Sequence, residues 1–436
     1  MNRDDWSQRR LHFVGIGGAG MSGLALIAQA LGAQVTGSDR ASSSYSERLR
    51  ATGIEPVFGH AAENVPAGAE VVYSTAIGSD NPERRAAAHE MHRADLLAQI
   101  AALRRCIAVT GTHGKTTTTA MIVHVLAGCG LDPSYVVGGE LRSTGSNAGW
   151  GTGEWIVIEA DESDRSLLKL SPEIAVLTNA ELDHHSTYRS LADLEATFRA
   201  FMTGAGDRAV VWDRPALRAL CPPAAVPYDA PDPVLDRTGS RFAWRGIEVT
   251  LSVPGAHNAV NAAGALTACA LAGAEPSRAA AAIADFSGAR RRLERIGETV
   301  AGVAVYDDYA HHPTEVAAAI AAARTLSAGR LIAIFQPHLY SRTRELAGAF
   351  GRALATADLC GVLSVYPARE RAEDFPGVDG RLVAAAAADA GGGRTVAWLP
   401  SFDDARRYLG SLLRPGDLCL MMGAGDIDRL GRSLLR

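Results

Sequence analysis

The chain lacks most of the features that mark secreted, membrane-bound or nucleic-acid-binding proteins. Its 6 cysteines, at Cys106, Cys129, Cys221, Cys269, Cys360 and Cys419, never form a C-x-x-C pair. That disfavours a disulfide framework and a zinc site, and fits a reducing cytosol. The polar start MNRDDWSQRR has no apolar h-region, so no signal peptide is expected, and no apolar run approaches the length of a membrane span. No block of Lys and Arg supplies a phosphate-backbone footprint, and the formal net charge is −5. Arg290–Arg292 is too short to change that, so no nucleic-acid partner is expected. No internal repeat is present. The expectation is a cytoplasmic protein with no membrane insertion.

What is present reads as α/β. At 436 residues the chain is too long for one core and predicts two or three domains. Apolar strand-like runs alternate with Ala- and Leu-rich helical stretches almost throughout, which predicts mostly parallel sheets. Three blocks separate by their connections. Residues 1–103 carry the strands LHFVGI, QVTGSD and EVVYST. Residues 104–287 carry CIAVTGT, EWIVIEADES, IAVLTNA, DRAVVW, a hairpin over RFAWRGIEVTLSV and two closing helices. Residues 288–436 carry AGVAVYDDY, RLIAIFQP, LCGVLSVYP, TVAWL and DLCLMMGAG, and the Ala-rich stretch before Gly391–Gly393 reads as a helix with a glycine stop.

Two glycine-rich loops carry the chemistry. The first, Gly15-x-Gly17-x-x-Gly20 in HFVGIGGAGMSG, follows a strand and opens a helix. Its glycines allow a tight turn, close approach of a pyrophosphate and close helix packing, and the helix N-terminus favours an anion. Asp39 ends the next strand, where a ribose-binding acid belongs. Alone, the motif fits a nicotinamide site, another diphosphate nucleotide or a structural turn. The second loop, Thr110-Gly111-Thr112-His113-Gly114-Lys115-Thr116-Thr117, sits between a strand and a helix as a P-loop does, although Val109 takes the place of the first glycine. Backbone N–H groups would cradle phosphates, Lys115 would neutralise the β/γ oxygens, and Thr116 would ligate Mg²⁺.

Further candidates end later strands. In IEADESD, Glu159 reads as a metal ligand and Glu162 as part of a surface turn. In NAELDHH, His184 could bind a second metal. His257-Asn258-x-x-Asn261 puts two amides on one helix face, for reading an adenine edge or, for Asn258, for capping. YDDYAHHPTE and FQPHLYSRTR lie where ligands bind in open α/β sheets. They suggest a small anionic substrate met by His311 and Arg342, with Arg344 equally readable as solvated and Thr314-Glu315 as helix caps.

Taken together, HFVGIGGAGMSGLA, GTHGKTTTT, EADESD, TNAELDHH, GAHNAVNA, FSGARRRLERIGE, YDDYAHHPTEV, FQPHLYSRT and GAGDI stand in the order of one family from end to end. The chain resembles the Mur ligases and, within them, the branch that adds L-alanine. The resemblance implies three domains: a Rossmann-like UDP-binding domain, a central P-loop ATPase-like domain with a mostly parallel sheet, and a C-terminal Rossmann-like α/β domain. It implies ATP-driven activation of the lactyl carboxylate of UDP-N-acetylmuramate, followed by attack of L-alanine on the acyl phosphate.

By the same resemblance, Gly15, Gly17, Gly18, Gly20, Met21 and Ser22 line the diphosphate site. Ser38, Asp39, His60, Ser74, Thr75, Ala76 and Ile77 line the rest of the UDP site. Gly111, Thr112, His113, Gly114, Lys115, Thr116 and Thr117 hold the ATP phosphates, with Arg292. His257, Asn258 and Asn261 hold the adenine. Thr116, Glu159 and His184 hold Mg²⁺, as a pair of ions, with Mn²⁺ also suited, and His311 and Arg342 sit near the amino acid. A monomer or homodimer is expected.

There are departures from the family's pattern. Leu339 stands where many relatives carry Arg after FQPH, and His185 takes the place of the commoner residue after Asp-His and is given no role. The stretch YRSLADLEATFRAFM lacks the modified Lys of other branches, which fits the alanine-adding one. The alternatives are a nicotinamide oxidoreductase, which leaves the second loop unexplained, a ligase that recycles a whole murein peptide, and a dead nucleotide-binding regulator, which the presence of Lys115, Thr116, Glu159 and His184 disfavours.

Overall fold

In a computed structural model, residues 3–184, 187–327 and 329–435 are described; His185 lies outside them. The chain divides into two compact units. The first takes in the residues up to Leu182, Thr187–Asp229 and Val260–Phe286; the second takes in Asp183 and His184, Ala230–Ala259 and the residues from Ser287 onward.

The first unit holds two sheets. A five-stranded parallel sheet runs Val57–Phe58, Gln34–Asp39, Arg10–Val14, Glu70–Tyr73, His89–His92 in spatial order. The strand order reverses at Arg10–Val14, which opens a crevice beyond its C-terminal end, where the first glycine loop begins. Gly37 is required in its strand, because a Cβ there would lie 2.6 Å from the Phe13 carbonyl oxygen. Trp6, Phe13, Ile16, Leu24 and Ile27 are fully buried around this sheet. The strand His89–His92 has no apolar β-branched residue and was invisible to periodicity; pairing with Glu70–Tyr73 makes it a strand.

A seven-stranded sheet follows: Val226–Tyr228, Ala209–Trp212, Ile174–Leu177, Arg105–Thr110, Trp155–Glu159, Ser134–Leu141, Ser146–Gly149. All pairs are parallel except the last. Val109 pairs with Glu159 and Thr110 with Leu177, so the P-loop, the acidic segment and Thr178-Asn179 leave the sheet side by side. The three central strands are buried on both faces, which is why they read as unbroken apolar runs.

The second unit holds a three-stranded antiparallel sheet, Val234–Asp236, Gly239–Trp244 and Ile247–Leu251. Its hairpin turns on Arg245 and Gly246, both at positive φ (49° and 77°), the backbone that a two-residue hairpin loop requires. A six-stranded sheet runs Glu294–Glu298, Ala304–Asp308, Leu418–Met422, Leu331–Phe335, Leu359–Leu363, Thr395–Leu399, parallel except for the first pair. Phe335 and Leu420 face one apolar layer, Ile334 and Met421 the other. The Ala-rich helix Gly380–Ala390 ends at a glycine run with Gly392 and Gly393 at positive φ. Among the described residues, no helix is long and apolar enough to cross a membrane.

Candidate active site

The second glycine loop is held by the strand end beside it. Gly111 has φ +127°, and a Cβ there would lie 2.2 Å from Thr178 Oγ1. His113 N donates to Asn179 Oδ1 at 2.8 Å, while Asn179 Nδ2 (3.0 Å) and Thr178 Oγ1 (2.6 Å) donate to the His113 carbonyl. Thr112 Oγ1 donates to the Glu181 carbonyl at 2.8 Å. The helix Lys115–Gly128 starts directly after Gly114, whose left-handed φ of +79° no side chain would favour. A Cβ on Gly114 would come within 2.7 Å of Asn261 Oδ1, so this amide of the helix Ala256–Leu271 borders the loop. Thr117 is buried in the helix's first turn.

The largely buried Lys115 ammonium closes the loop from inside. Its Nζ donates to the Gly111 carbonyl at 2.7 Å, to the Thr112 carbonyl at 3.1 Å and to Glu162 Oε1 at 2.9 Å. Glu162 is therefore no surface acid: it is 1% exposed, with its carbonyl accepting from the Tyr188 hydroxyl at 2.6 Å. This corrects the expectation from sequence, where an acid between Asp161 and Ser163 reads as a solvated turn. Burial lowers the Lys115 pKa, but the carboxylates of Glu162, Glu159 and Asp161 outweigh it and raise it. Against burial, which raises it, Arg93 and Lys115 hold the Asp161 carboxyl down at about 2. Arg93 Nη2 lies 2.9 Å from Asp161 Oδ2 and 3.4 Å from Asp164 Oδ2.

Glu159 meets Thr116 as the P-loop pattern requires. Thr116 Oγ1 donates to Glu159 Oε1 at 3.0 Å, and Gly138 N donates to Glu159 Oε2 at 2.7 Å. A Cβ on Gly138 would lie 2.7 Å from that carboxylate, a role for Gly138 that sequence reading missed. The Thr116 hydroxyl and the Glu159 carboxylate are adjacent hard oxygen donors, the chemistry that suits Mg²⁺.

In the first glycine loop, Gly15 has φ +78°, and Gly15 N and Ile16 N donate to the Ser38 carbonyl at 2.8 and 2.9 Å. Gly17 N donates to Asp39 Oδ2 at 2.8 Å, so the acid expected at a ribose also holds the loop. Gly18 precedes the helix Ala19–Ala30, and a Cβ on Gly20 would lie 3.2 Å from Arg93 Nη1. Met21 and Ser22 point elsewhere. Met21 belongs to the core, and the Ser22 hydroxyl donates to the Ala19 carbonyl and accepts from Asn147 Nδ2. Ser74 to Ile77 follow the strand Glu70–Tyr73, with Thr75 and Ala76 exposed and Ile77 within 3.4 Å of a Cβ built on Gly15. Thr75 Oγ1 donates to Asp164 Oδ2 at 3.3 Å. Ser38 Oγ and His60 Nδ1 lie 2.9 Å apart.

The second unit gathers His184, His311 and Arg342 around Asp183. Arg342 is 3% exposed and forks onto Asp183, with Nη2 3.0 Å from both carboxylate oxygens and Nε 3.1 Å from Oδ1. Burial raises the Asp183 pKa, but Arg342, His184 and His311 hold it far below the usual carboxylate range. His184 N donates to Asp183 Oδ1 at 2.7 Å. The His311 ring meets His338 edge-on at 6.0 Å, and His338 stacks on Tyr366 at 5.7 Å. Burial pulls the imidazoles of His311 and His338 down to about 4 and about 3. Neither Asp183 nor His338 was given a role from sequence; each carried only its adjacency to an expected residue.

Around this cluster, His312 and Glu315 cap the helix Pro313–Leu326 together, which bears out the capping reading of Glu315. Arg292 lies over Tyr309 at 5.4 Å and 3.9 Å from Glu315. His257 is exposed, and Asn258 Nδ2 donates to the Pro254 carbonyl at 2.7 Å. Arg344 is exposed and paired with Glu345. Leu339 is buried at φ +71°, with its carbonyl accepting from Thr343 N and Oγ1.

Three family models match the chain: Mur ligase family, catalytic domain, over residues 10–105; Mur ligase middle domain over 109–269; and Mur ligase, glutamate ligase domain over 291–425. A UDP-N-acetylmuramate–L-alanine ligase of Streptomyces avermitilis is 44% identical, covering 98% of this chain and 97% of the relative. One of Rubrobacter xylanophilus is 43% identical, covering 98% and 99%. Among solved structures, the UDP-N-acetylmuramate-alanine ligase MurC of Thermotoga maritima superposes with a TM-score of 0.84 at 27% identity, over 98% of both chains. A murein peptide ligase of Psychrobacter arcticus gives 0.72 at 25%, also over 98% of both.

Replacing Asp183 by Ala leaves the Arg342 guanidinium buried without its counter-charge, and is expected to destabilise the second unit by about 3–5 kcal/mol. Denaturant unfolding checks this, and a loss below about 1 kcal/mol contradicts the geometry. The imidazoles of His311 and His338, lowered by burial, are expected to stay neutral down to about pH 5. Histidine NMR titration reads this directly, and midpoints near the unperturbed value of about 6.5 would contradict it.

Proposed function

The chain belongs to the Mur ligase family, and from that premise we propose that it joins L-alanine to the lactyl carboxylate of UDP-N-acetylmuramate at the expense of ATP, in peptidoglycan precursor synthesis. The observation that carries this reading is the cluster at the head of the helix Lys115–Gly128. There a largely buried ammonium, a glycine loop and a Thr116–Glu159 oxygen pair stand together, the parts that phosphoryl transfer needs. Near full-length similarity to alanine-adding ligases supports the choice of amine.

In this reading a carboxylate, a poor electrophile, attacks the γ-phosphorus of ATP. ADP leaves, and the acyl phosphate gains a good leaving group. The amine of L-alanine then attacks the acyl carbon, phosphate departs with the former carboxylate oxygen, and the amine loses a proton as the amide forms. Lys115 would move from the loop carbonyls onto the phosphate oxygens and screen their repulsion. Thr116, Glu159 and His184 would hold Mg²⁺, which when bound draws charge from the transferring phosphoryl group. Gly111 to Thr117 and Arg292 would hold the ATP phosphates, and His257, Asn258 and Asn261 the adenine.

The sugar nucleotide is assigned to the first glycine loop, with Gly15, Gly17, Gly18 and Gly20 at the diphosphate and Ser38, Asp39, His60 and Ser74 to Ile77 around the uridine. Met21 and Ser22 would act from behind the loop. His311 and Arg342 are assigned to the amino acid; a substrate carboxylate at Arg342 would have to take the place of Asp183. The division 1–103, 104–287 and 288–436 is proposed for the UDP-sugar, ATP and amino-acid domains. The likeness to a murein peptide ligase motivates a second reading, in which the amine is a whole peptide.

Phosphate release is expected to require ATP, Mg²⁺, UDP-N-acetylmuramate and L-alanine together, with a product heavier by one alanyl residue. Lys115→Ala is expected to cut turnover by about a thousandfold or more. A clear preference for tripeptide over alanine in competition would overturn the choice of amine, and normal turnover by Lys115→Ala would overturn the phosphate site.

A further inference from the structure

The first unit contains a buried carboxylate that the reaction does not use. Glu83 lies in the short helix Pro82–Ala86 and is 0% exposed. Its Oε2 accepts from Ser38 Oγ at 2.5 Å, and its Oε1 from Asn64 Nδ2 at 2.6 Å and Ala61 N at 3.3 Å. His60 Nδ1 lies 3.4 Å and His12 Nε2 3.5 Å from Oε2. Burial raises the Glu83 pKa, but the hydrogen bonds from His12, Ser38 and Asn64 hold it down at about 2, so the group is an ionised acceptor with no proton to give.

That fixes a direction of hydrogen bonding. Ser38 has one hydroxyl proton, and an acceptor-only carboxylate takes it. The 2.9 Å contact between Ser38 Oγ and His60 Nδ1 then needs the proton on Nδ1. A neutral imidazole protonated there leaves Nε2 as an acceptor. The His60 side chain is 11% exposed, and no hydrogen bond to a described residue engages Nε2. We infer that Glu83 is a positioning residue: through Ser38 it locks His60 in the Nδ1–H tautomer, so that Nε2 receives a hydrogen-bond donor of the bound uridine, the uracil N3–H or a ribose hydroxyl. This rests on the proposed placement of the sugar nucleotide at Ser38 and His60.

Glu83→Gln reverses the relay. An amide offers one acceptor where the carboxylate offered two. Asn64 Nδ2 also donates to the Gly59 carbonyl at 3.0 Å, so its end of the network resists turning over, whereas a hydroxyl rotates freely. The Gln oxygen therefore stays with Asn64 and Ala61, its NH₂ faces Ser38, and Ser38 donates to His60 Nδ1. The imidazole proton moves to Nε2.

The test is the ¹⁵N spectrum of the histidine rings at pH 8, with the His60 signals assigned from a His60→Asn variant, beside calorimetric binding of UDP, CDP and 2′-deoxy-UDP. In the native protein His60 is expected as the Nδ1–H tautomer. Glu83→Gln is expected to show Nε2–H and to bind UDP about tenfold more weakly. A preference for UDP over CDP that Glu83→Gln abolishes assigns the donor to uracil N3–H; a preference over 2′-deoxy-UDP that it abolishes assigns it to the ribose. A native His60 protonated at Nε2 overturns the inference even if Glu83→Gln does not fold. So does Glu83→Gln retaining both tautomer and UDP affinity. If the tautomers behave as expected but His60→Asn leaves UDP affinity unchanged, the relay stands and the placement of the uridine falls, and the inferred ligand contact falls with it.

Discussion

A lysine ammonium taken out of water must be surrounded by oxygen, and the second glycine loop is organised around that requirement. Lys115 meets two loop carbonyls and the buried Glu162 carboxylate at 2.7–3.1 Å. Removing either charge would strand the other in a low-dielectric setting. In the proposed reaction the same arrangement would ready the loop for phosphate. The oxygens around the ammonium are ones that phosphate oxygens could replace, so the charge would already be in place for the substrate. Glu159 is oriented separately, by Thr116 and the Gly138 amide.

The parts of this arrangement that are local in sequence were legible there. Strand, glycine loop and helix occur within residues 105–128, and glycines at positive φ with a following Lys-Thr leave few other meanings. Parallel strands buried on both faces announced themselves as apolar runs. Illegible were the contacts made across long separations. Glu162 lies 47 residues from Lys115, and Asp183 lies 159 from Arg342; an acid reads as exposed until its partner is known. The strand Ser134–Leu141 was hidden because Gly138 and Gly139 break its pattern, yet Gly138 is what lets the backbone reach the Glu159 carboxylate. The nicotinamide alternative falls for the complementary reason: a first loop alone does not specify which nucleotide it holds, and the chain belongs to a family of ligases.

The second unit obeys the same logic with opposite consequence. The Asp183–Arg342 fork is nearly inaccessible to solvent, and the two imidazoles beside it are pushed towards their neutral forms by burial. A neutral imidazole beside a compensated ion pair leaves a region of low net charge, and in the proposed reaction a zwitterionic amino acid would enter it by exchanging partners. Buried charge pairs thus recur in both units, and in the proposed reaction each would offer substrate oxygens a counter-charge.

Activation of a carboxylate by phosphoryl transfer leaves an isotopic trace in the phosphate. UDP-N-acetylmuramate carrying ¹⁸O in its lactyl carboxylate is turned over with ATP and L-alanine, and the released phosphate is weighed. One carboxylate oxygen is expected in the phosphate, because the bond that breaks when the amine attacks joins that oxygen to the acyl carbon. Amide product formed with no label in the phosphate would contradict it.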